Sequence, residues 1–232
     1  MKQDNNLSSG QIEMKGYPSD GRMSFTATGK SLTIDWGDGT IEEVMPNAIE
    51  RIFNHEYLNN NLRIITITTD GMTSFGCSSA NGIYHELRFG DCPDLKEVYC
   101  DGNSLTVLDI SRSRALELLD CSYNQLTSLN VNGCSALTNL SCSNNKLTSL
   151  NVSSCSVLEW LNCGDNQLTS LSVSDCTALA TLDCYLNRLT SEALNSIFET
   201  LSETRGSINV RGNPSASACN RNIATSKGWS IY

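Results

Sequence analysis

Apolar residues in the middle of the chain follow a frame that repeats every 21 residues. In Leu137–Leu147, leucine stands at positions one, four and eleven, cysteine at position six and asparagine at position nine. A fixed period of this length is typical of stacked solenoid repeats. The same frame fits four further segments, with Val98 in one leucine position: Leu95–Leu105, Leu116–Leu126, Leu158–Leu168 and Leu179–Leu189.

Alternation around each Leu-x-Cys centre predicts a short strand whose leucine and cysteine point inward. Strands of successive coils would then stack about 4.8 Å apart and form a parallel sheet. The second half of each coil, as in Leu126–Cys134, repeats a similar alternation of leucine, valine and cysteine. We therefore expect a flattened coil with a strong parallel sheet on one side and short strands or turns on the other.

Eleven cysteines would ordinarily indicate disulfides or metal, but here their spacing follows the repeat. No close pair of the Cys-x-x-Cys kind is found, so the columns are predicted to fill the interior as small apolar side chains. Cys219 alone stands outside both columns. One column holds Cys100, Cys121, Cys142, Cys163 and Cys184, with Cys77 added if its coil carries two extra residues; the other holds Cys92, Cys134, Cys155 and Cys176, with Ser113 in the gap.

The asparagine of each repeat lies where the strand turns. An amide at that point can donate to and accept from backbone groups that the turn leaves unpaired. The asparagine column is therefore predicted to be structural.

Residues 190–232 lack the frame and are predicted to form a small α/β cap over the open end of the solenoid. Its elements are expected to be a helix from an N-cap at Ser191 to a stop at Gly206, a strand Ser207–Val210, a short helix Ser217–Lys227 and a strand Trp229–Tyr232. Trp229 is expected in the core of this cap.

Residues 11–71 also lack the repeat and show short alternating strands separated by glycine turns, which favours a small antiparallel sandwich. The predicted strands are Ser24–Thr28, Ser31–Asp35, Thr40–Val44, Arg51–His55 and Arg63–Thr68. The fold class is thus mainly β: a disordered tail over residues 1–10, a sandwich over 11–71, a right-handed solenoid over 72–189 and a cap over 190–232.

Two local motifs carry a family resemblance. The run Asp35–Thr40, which reads DWGDGT, and the pair His55 and Tyr57 resemble signatures of PKD-like, immunoglobulin-type domains. The repeat LxCSxNxLTSLxVSxC, this front domain and the ending Gly212–Trp229 together resemble secreted leucine-rich-repeat proteins of Bacteroides-type gut bacteria. The resemblance implies a secreted or cell-surface location, with the leader and lipid-anchor cysteine absent from this sequence, and a role in adhesion.

The net charge of −9 argues against a nucleic-acid partner, because phosphate binding needs clustered lysine and arginine. No stretch approaches the roughly 20 apolar residues of a membrane span. We expect a monomer with no cofactor and no metal.

Outward positions between the inward columns are the least regular part of the repeat and carry large apolar and acidic side chains. Aromatic groups beside aspartate and asparagine suit contact with a protein or carbohydrate ligand. The candidate binding residues are Tyr99, Leu118, Asp120, Tyr123, Trp160, Asn162, Asp183 and Tyr185. The leading hypothesis is therefore a non-catalytic binding or adhesion module.

Four alternatives remain open at this stage. A structural spacer in the cell envelope would have no specific ligand. A thiol hydrolase would use His85 and Glu86 with Cys77 or Cys92 as nucleophile, yet both cysteines fit inward columns. A calcium site at Asp35 and Asp38 would have only two carboxylates. The column Thr106, Thr127, Thr148, Thr169 and Thr190 would suit an ice-type array, which usually needs two threonine ranks.

Overall fold

The computed structural model describes residues 7–44, 51–79, 83–203 and 205–232. Within these ranges the protein is mainly β, with seventeen strands in three sheets and two helices. The strands are β1 Gln11–Gly16, β2 Arg22–Thr28, β3 Ser31–Asp35, β4 Ile41–Val44, β5 Arg51–Glu56, β6 Arg63–Asp70, β7 Ser74–Gly76, β8 Tyr84–Phe89, β9 Glu97–Tyr99, β10 Val107–Asp109, β11 Leu118–Asp120, β12 Ser128–Asn130, β13 Asn139–Ser141, β14 Trp160–Asn162, β15 Thr181–Asp183, β16 Gly206–Asn209 and β17 Trp229–Ile231. The helices are α1 Ser191–Thr200 and α2 Asn222–Thr225.

The repeat forms a solenoid of about seven coils, which confirms the prediction from the 21-residue frame. Strands β7, β9, β11, β13, β14, β15 and β16 pair in parallel, one from each coil. Leucines stand opposite one another, as Leu140 does between Leu119 and Leu161, and all three are buried. Cys77 aligns with Cys100 as expected, because its N–H donates to Tyr99 O at 2.7 Å in the ladder of β7 and β9.

The other side of the coils is also extended, as the second alternation predicts. Strands β10 and β12 pair in parallel. An isolated bridge joins Asn151 to Ser172 in the two coils that follow. Val131, Val152 and Val173 are buried beneath this side. Each 21-residue coil thus closes around an interior of leucine, valine and cysteine. None of the described 21-residue repeats contains a helix.

The asparagine column joins each coil to the one before it. Asn145 Nδ2 donates to Cys121 O of the preceding coil at 3.0 Å and to Cys142 O of its own coil at 3.1 Å. Its Oδ1 accepts from the N–H of Leu126 at 2.8 Å. The same pattern recurs at Asn103, Asn124, Asn166, Asn187 and Asn213.

The front strands continue the two sides of the solenoid. Strand β2 pairs antiparallel with β7 and with β5, which extends the parallel sheet to ten strands in the order β17-β16-β15-β14-β13-β11-β9-β7-β2-β5. Strand β1, whose alternating Ile12 and Met14 the sequence prediction overlooked, pairs with β6 and with β8 of the first coil. The second front sheet therefore has the order β4-β3-β6-β1-β8.

An aromatic cluster fills the space between these two front sheets. Phe25 lies 5.0 Å from Phe53, 5.6 Å from Trp36 and 6.1 Å from Phe75, measured between ring centroids. Phe75 belongs to the first coil and contacts Phe89 edge-on at 5.8 Å. The front core and the solenoid core are thus one continuous apolar interior.

Residues before β1 are tied to the first coil as well. The N–H of Gly10 donates to Asp91 O at 2.8 Å, and the Ser9 hydroxyl donates to the same oxygen at 3.2 Å. Residues 1–6 of the predicted tail lie outside the described residues.

The C-terminal elements differ in detail from the sequence prediction. Helix α1 is capped by Thr190, not Ser191: the Thr190 hydroxyl oxygen accepts from the N–H of Ala193 at 3.3 Å. The helix ends at Thr200 because Leu201 turns to an extended conformation and buries its side chain. Gly206 is not a helix stop but opens β16, where a Cβ would lie 2.6 Å from Ala180 O.

The second helix is shorter than predicted. Helix α2 has only four residues, and turns precede it where a longer helix was expected. Trp229 is buried as expected, and its Nε1–H donates to Ser202 O at 2.9 Å. Neither helix among the described residues has the length and apolarity to cross a membrane.

Ser113 is the one serine in the second cysteine column, and it leads to a stability prediction. It is fully buried, and its hydroxyl oxygen finds no hydrogen-bond partner among the described residues. A buried hydroxyl without a partner keeps its desolvation cost, whereas a thiol loses little on burial. Ser113→Cys should therefore raise the free energy of unfolding by about 1–2 kcal/mol in urea denaturation. The exposed Ser135→Cys is the matched control and should change it little; an unchanged or lower value for Ser113→Cys contradicts the prediction.

Candidate functional site

Two rows of side chains run along the outer face of the ten-stranded sheet, away from the buried leucines. The cross-strand register fixes both rows across β9, β11, β13, β14 and β15. The first row contains Glu97, Leu118, Asn139, Trp160 and Thr181. The second row contains Tyr99, Asp120, Ser141, Asn162 and Asp183.

Two candidates in the second row also serve the backbone. Asp120 Oδ1 accepts from the N–H of Ser122 at 3.0 Å and from its hydroxyl at 2.6 Å. Asn162 Oδ1 accepts from the N–H of Gly164 at 3.1 Å. These hydrogen bonds stabilise the turn that follows each strand, so both side chains have a structural role.

Asp183 departs from this pattern. It occupies the same row, yet no N–H or side-chain donor of the described residues bonds to its carboxylate. Partial burial alone raises its pKa above the ordinary aspartate value, because burial penalises the charged form. Asp183 is thus a half-buried carboxylate that is not needed for the turn.

Tyr185 lies beside Asp183 and covers the neighbouring coil. A Cβ at position 164 would be 2.3 Å from its ring carbon Cε1, so glycine at 164 is required for the ring to rest there. Burial raises the pKa of Tyr185, and the charges of Tyr123, Asp183 and Asp165 raise it further, while Asn162 lowers it. Asn162, Asp165, Asp183 and Tyr185 thus lie on two adjacent coils, whereas Tyr123 follows β11, three strands before β15.

One outward column follows the strands in a left-handed backbone conformation. Tyr123, Asn144, Asp165 and Leu186 have φ between 49° and 55°. Tyr123 is 63% exposed and Leu186 is 51% exposed. Leu186 and Asp165 are absent from the predicted site, although their column is visible in the repeat.

The remaining candidates are spread along the sheet. Leu118 and Trp160 are half-buried in the first row with Asn139 between them. Tyr99 lies in the second row near the front strands, three strands before Asn162. The eight predicted residues thus share one face, but only Asn162, Asp183 and Tyr185 form a compact group.

The second row does not stop at Tyr99. The register continues through Gly76 and Thr26 to Ile52 on the edge strand β5. Gly76 leaves a notch here, because a Cβ would lie 2.4 Å from Thr26 Oγ1. A surface pocket of about 240 Å³ follows this notch, and Ile52 on its rim is 70% exposed. Sequence reasoning missed these positions because the front strands carry no repeat to mark their register.

The cysteines proposed as alternative nucleophiles are buried. Burial raises the pKa of the Cys92 thiol to about 11 and that of Cys77 further still. His85 is exposed and packs edge-on against Tyr17 at 5.4 Å. The geometry favours the interpretation of both cysteines as interior side chains.

Asp35 and Asp38, proposed as calcium ligands, are engaged in a turn. Asp35 Oδ1 accepts from the N–H of Gly37 at 2.9 Å, and Asp38 Oδ1 accepts from the N–H of Thr40 at 3.0 Å. Asp38 Oδ2 lies 2.8 Å from His55 Nε2, and the His55 ring stacks on Trp36 at 4.8 Å. In the described part of the chain, no three His, Cys, Asp or Glu side chains gather as a metal site.

Eleven solved chains are similar to this protein. One is the functional domain of InlJ from Listeria monocytogenes, which includes a cysteine ladder. The identity is 27% and the TM-score 0.54, over 68% of this chain and 35% of that chain. The protein has a leucine-rich-repeat-like solenoid fold.

This chain therefore spans about a third of the InlJ chain that it matches. InlJ is itself a leucine-rich-repeat protein. No protein-family model matches the sequence, and no curated protein matches it. The cysteine ladder of the InlJ domain has a counterpart in the stacked cysteine columns of this protein.

Burial of the thiols predicts slow chemical labelling. A pKa of about 11, as at Cys92, leaves roughly one thiol in ten thousand ionised at pH 7. Iodoacetamide should label the native protein slowly and label all eleven cysteines after unfolding, as counted by intact mass. Ser128→Cys places a thiol on the exposed second side and should react at once; rapid native labelling of Cys77 or Cys92 would restore the hydrolase alternative.

The Asp38 turn predicts a specific acid sensitivity. Hydrogen bonding from His55 lowers the pKa of Asp38 to about 2, against 3.8 for the ordinary group. A depressed folded pKa stabilises the protein above about pH 4, and this contribution is lost as the pH falls towards 2. Asp38→Asn should lower the melting temperature at neutral pH and flatten its fall across this window. Glu43→Gln, on the exposed part of β4, should leave both unchanged; a wild-type pH slope in Asp38→Asn would contradict the assignment.

Proposed function

We propose that the protein is a non-catalytic recognition module that binds a protein or glycan through the outer face of the ten-stranded sheet. The observation that carries the proposal is the group of Asn162, Asp183 and Tyr185 on that face, with the exposed Tyr123 further along it. The asparagine column already supplies hydrogen bonds to the backbone at the turns, and leucine and cysteine already fill the interior. Large apolar and unpaired acidic side chains on the outer face serve neither purpose.

The extent of the face supports the same proposal. Seven coil strands and two antiparallel front strands present one outer surface, on which each row has a fixed register. Rigid strands hold side chains more accurately than loops do, which favours specific binding. We propose no cofactor, no metal and no catalytic residue, and a monomeric protein.

Similarity to InlJ supports a module of the leucine-rich-repeat class. We further propose a secreted or cell-surface adhesion protein of the Bacteroides type, with a PKD-like front sandwich and a C-terminal cap. The run Asp35–Thr40 with the stacked Trp36 and His55 supports the PKD-like assignment. Burial of Trp229, and the place of β16 and β17 at the end of the sheet, support the cap.

A structural spacer in the cell envelope is the second candidate. The continuous interior from the front sandwich to the last coil favours it, because such a rod would project another element. A spacer needs no conserved chemistry on its outer face, and its surface residues would be exchangeable. The two candidates therefore differ in whether outer-face substitutions change binding.

The test is a screen of immobilised glycans and surface proteins, followed by substitution on the face. Trp160→Ala with Tyr185→Ala should weaken binding to the ligand found by at least about 2 kcal/mol, as expected for aromatic anchors. Affinity would be measured by calorimetry, and the melting temperature would show that the fold is kept.

The matched control changes a large side chain that does not lie on the outer face of the ten-stranded sheet. Tyr17→Ala removes an exposed tyrosine from the front sandwich and should leave affinity unchanged. Binding that survives the double substitution would refute recognition by this face, and the absence of any ligand in the screen would favour the spacer.

A further inference from the structure

The outer face carries negative charge and no positive charge over five coils. Twenty outward positions, four from each of the five regular repeats, include five carboxylates and neither lysine nor arginine. The carboxylates are Glu97, Asp101, Asp120, Asp165 and Asp183. The chain as a whole has 16 lysine and arginine residues beside 25 aspartate and glutamate residues, so the acidic excess is greater at these twenty positions than in the chain as a whole.

Aromatic side chains stand among these carboxylates. Tyr99, Tyr123, Trp160 and Tyr185 occupy four of the same twenty positions. Their rings offer a negative face to a cation, and an adjacent carboxylate adds to that attraction. The combination is the chemistry that receives a guanidinium or ammonium group.

The compact group around Tyr185 has the geometry for such a contact. Its ring rests on Gly164, directly before Asp165, and Asp183 is the cross-strand neighbour of Asn162. Neither the Asp165 nor the Asp183 carboxylate is hydrogen-bonded to a described residue. Arg211 follows Tyr185 in the next coil but is exposed and makes no ion pair within the described ranges.

We propose that the partner presents a cationic, arginine- or lysine-rich protein segment, with one basic side chain seated among Asp165, Asp183 and Tyr185. This inference rests on the proposed recognition function and names the chemistry of its ligand. The segment would lie along the second row, where Asp120 and Tyr99 continue the acidic and aromatic surface towards the front strands.

Charge distinguishes this partner from the alternatives. An acidic glycan would meet five like charges, which raises the cost of association. A neutral glycan would cover the half-buried Asp183 without supplying a counter-charge, and burial of an unpaired carboxylate is unfavourable. A cationic segment supplies the missing charge and gains contact with the rings.

The test uses the full chain and a fluorescent peptide of alternating glycine and arginine, with fluorescence anisotropy as the readout. Asp165→Asn with Asp183→Asn keeps size and shape and should weaken binding about tenfold, which corresponds to about 1.4 kcal/mol. Tyr185→Ala should weaken it by a similar factor. Added salt should weaken binding to the wild type, because partly exposed charges are screened.

The matched control removes the same charge elsewhere. Asp175→Asn with Glu199→Gln lies on exposed positions away from the outer face and should leave the affinity within about twofold, a change below 0.5 kcal/mol. Equal losses in the two double variants would show a bulk charge effect and overturn the proposal. A glycine–glutamate peptide should not bind.

Failure of this inference can be separated from failure of the proposed function. If the screen finds a neutral or acidic ligand whose binding Trp160→Ala with Tyr185→Ala abolishes, while the arginine peptide does not bind, recognition by the face stands and the cationic partner is refuted. If the peptide binds and Asp165→Asn with Asp183→Asn weakens it selectively, the cationic site is supported even before a natural ligand is identified.

Discussion

The stacked coils depend on one side-chain amide per turn. Each coil between β9 and β15 reverses direction without a helix, so carbonyl groups at the end of each strand would otherwise lack donors. Asn145 supplies both a donor and an acceptor. Its Nδ2 donates to carbonyls of two coils, and its Oδ1 accepts from the N–H of Leu126. Aspartate could accept but not donate, and leucine could do neither. The column therefore explains both the fixed period and the close spacing of the coils.

Continuity of the sheet explains how the first coil is protected. An open solenoid end would expose strand edges and a slice of apolar core. Here β2 pairs with β7 on one side, β1 pairs with β8 on the other, and Phe25 contacts Phe75 between them. The two front sheets thus also cover the open end of the solenoid at its first coil. The outer face consequently gains two antiparallel strands, with Thr26 and Ile52 in the same row as Tyr99.

Sequence periodicity predicted the parts of this protein that repeat. Leucine, cysteine and asparagine columns are visible because the same physical demand recurs every 21 residues, and the structure places them as expected. Strand β1 was missed although Ile12 and Met14 alternate with polar residues, and its place between β6 and β8 follows from pairing between segments distant in sequence. The helix cap was displaced from Ser191 to Thr190 because both residues suit an N-cap and only tertiary packing decides between them. The candidate face was visible as columns, but its compact group depends on the direction of the Tyr185 ring.

The left-handed column shows how the fold and its surface chemistry can be separated. Every coil needs a residue with φ near +50° after its strand, and glycine or asparagine adopts this conformation at the least cost. Gly102 and Asn144 fit that demand, whereas Tyr123 and Leu186 each cost about 1 kcal/mol there and place an apolar side chain in solvent. Leu186 offsets part of this cost because it packs over Gly212 of the next coil, where a Cβ would lie 2.5 Å from its Cδ2. Tyr123 has no such glycine beneath it in the described residues, so contact of its exposed ring with the proposed partner is what would offset its cost.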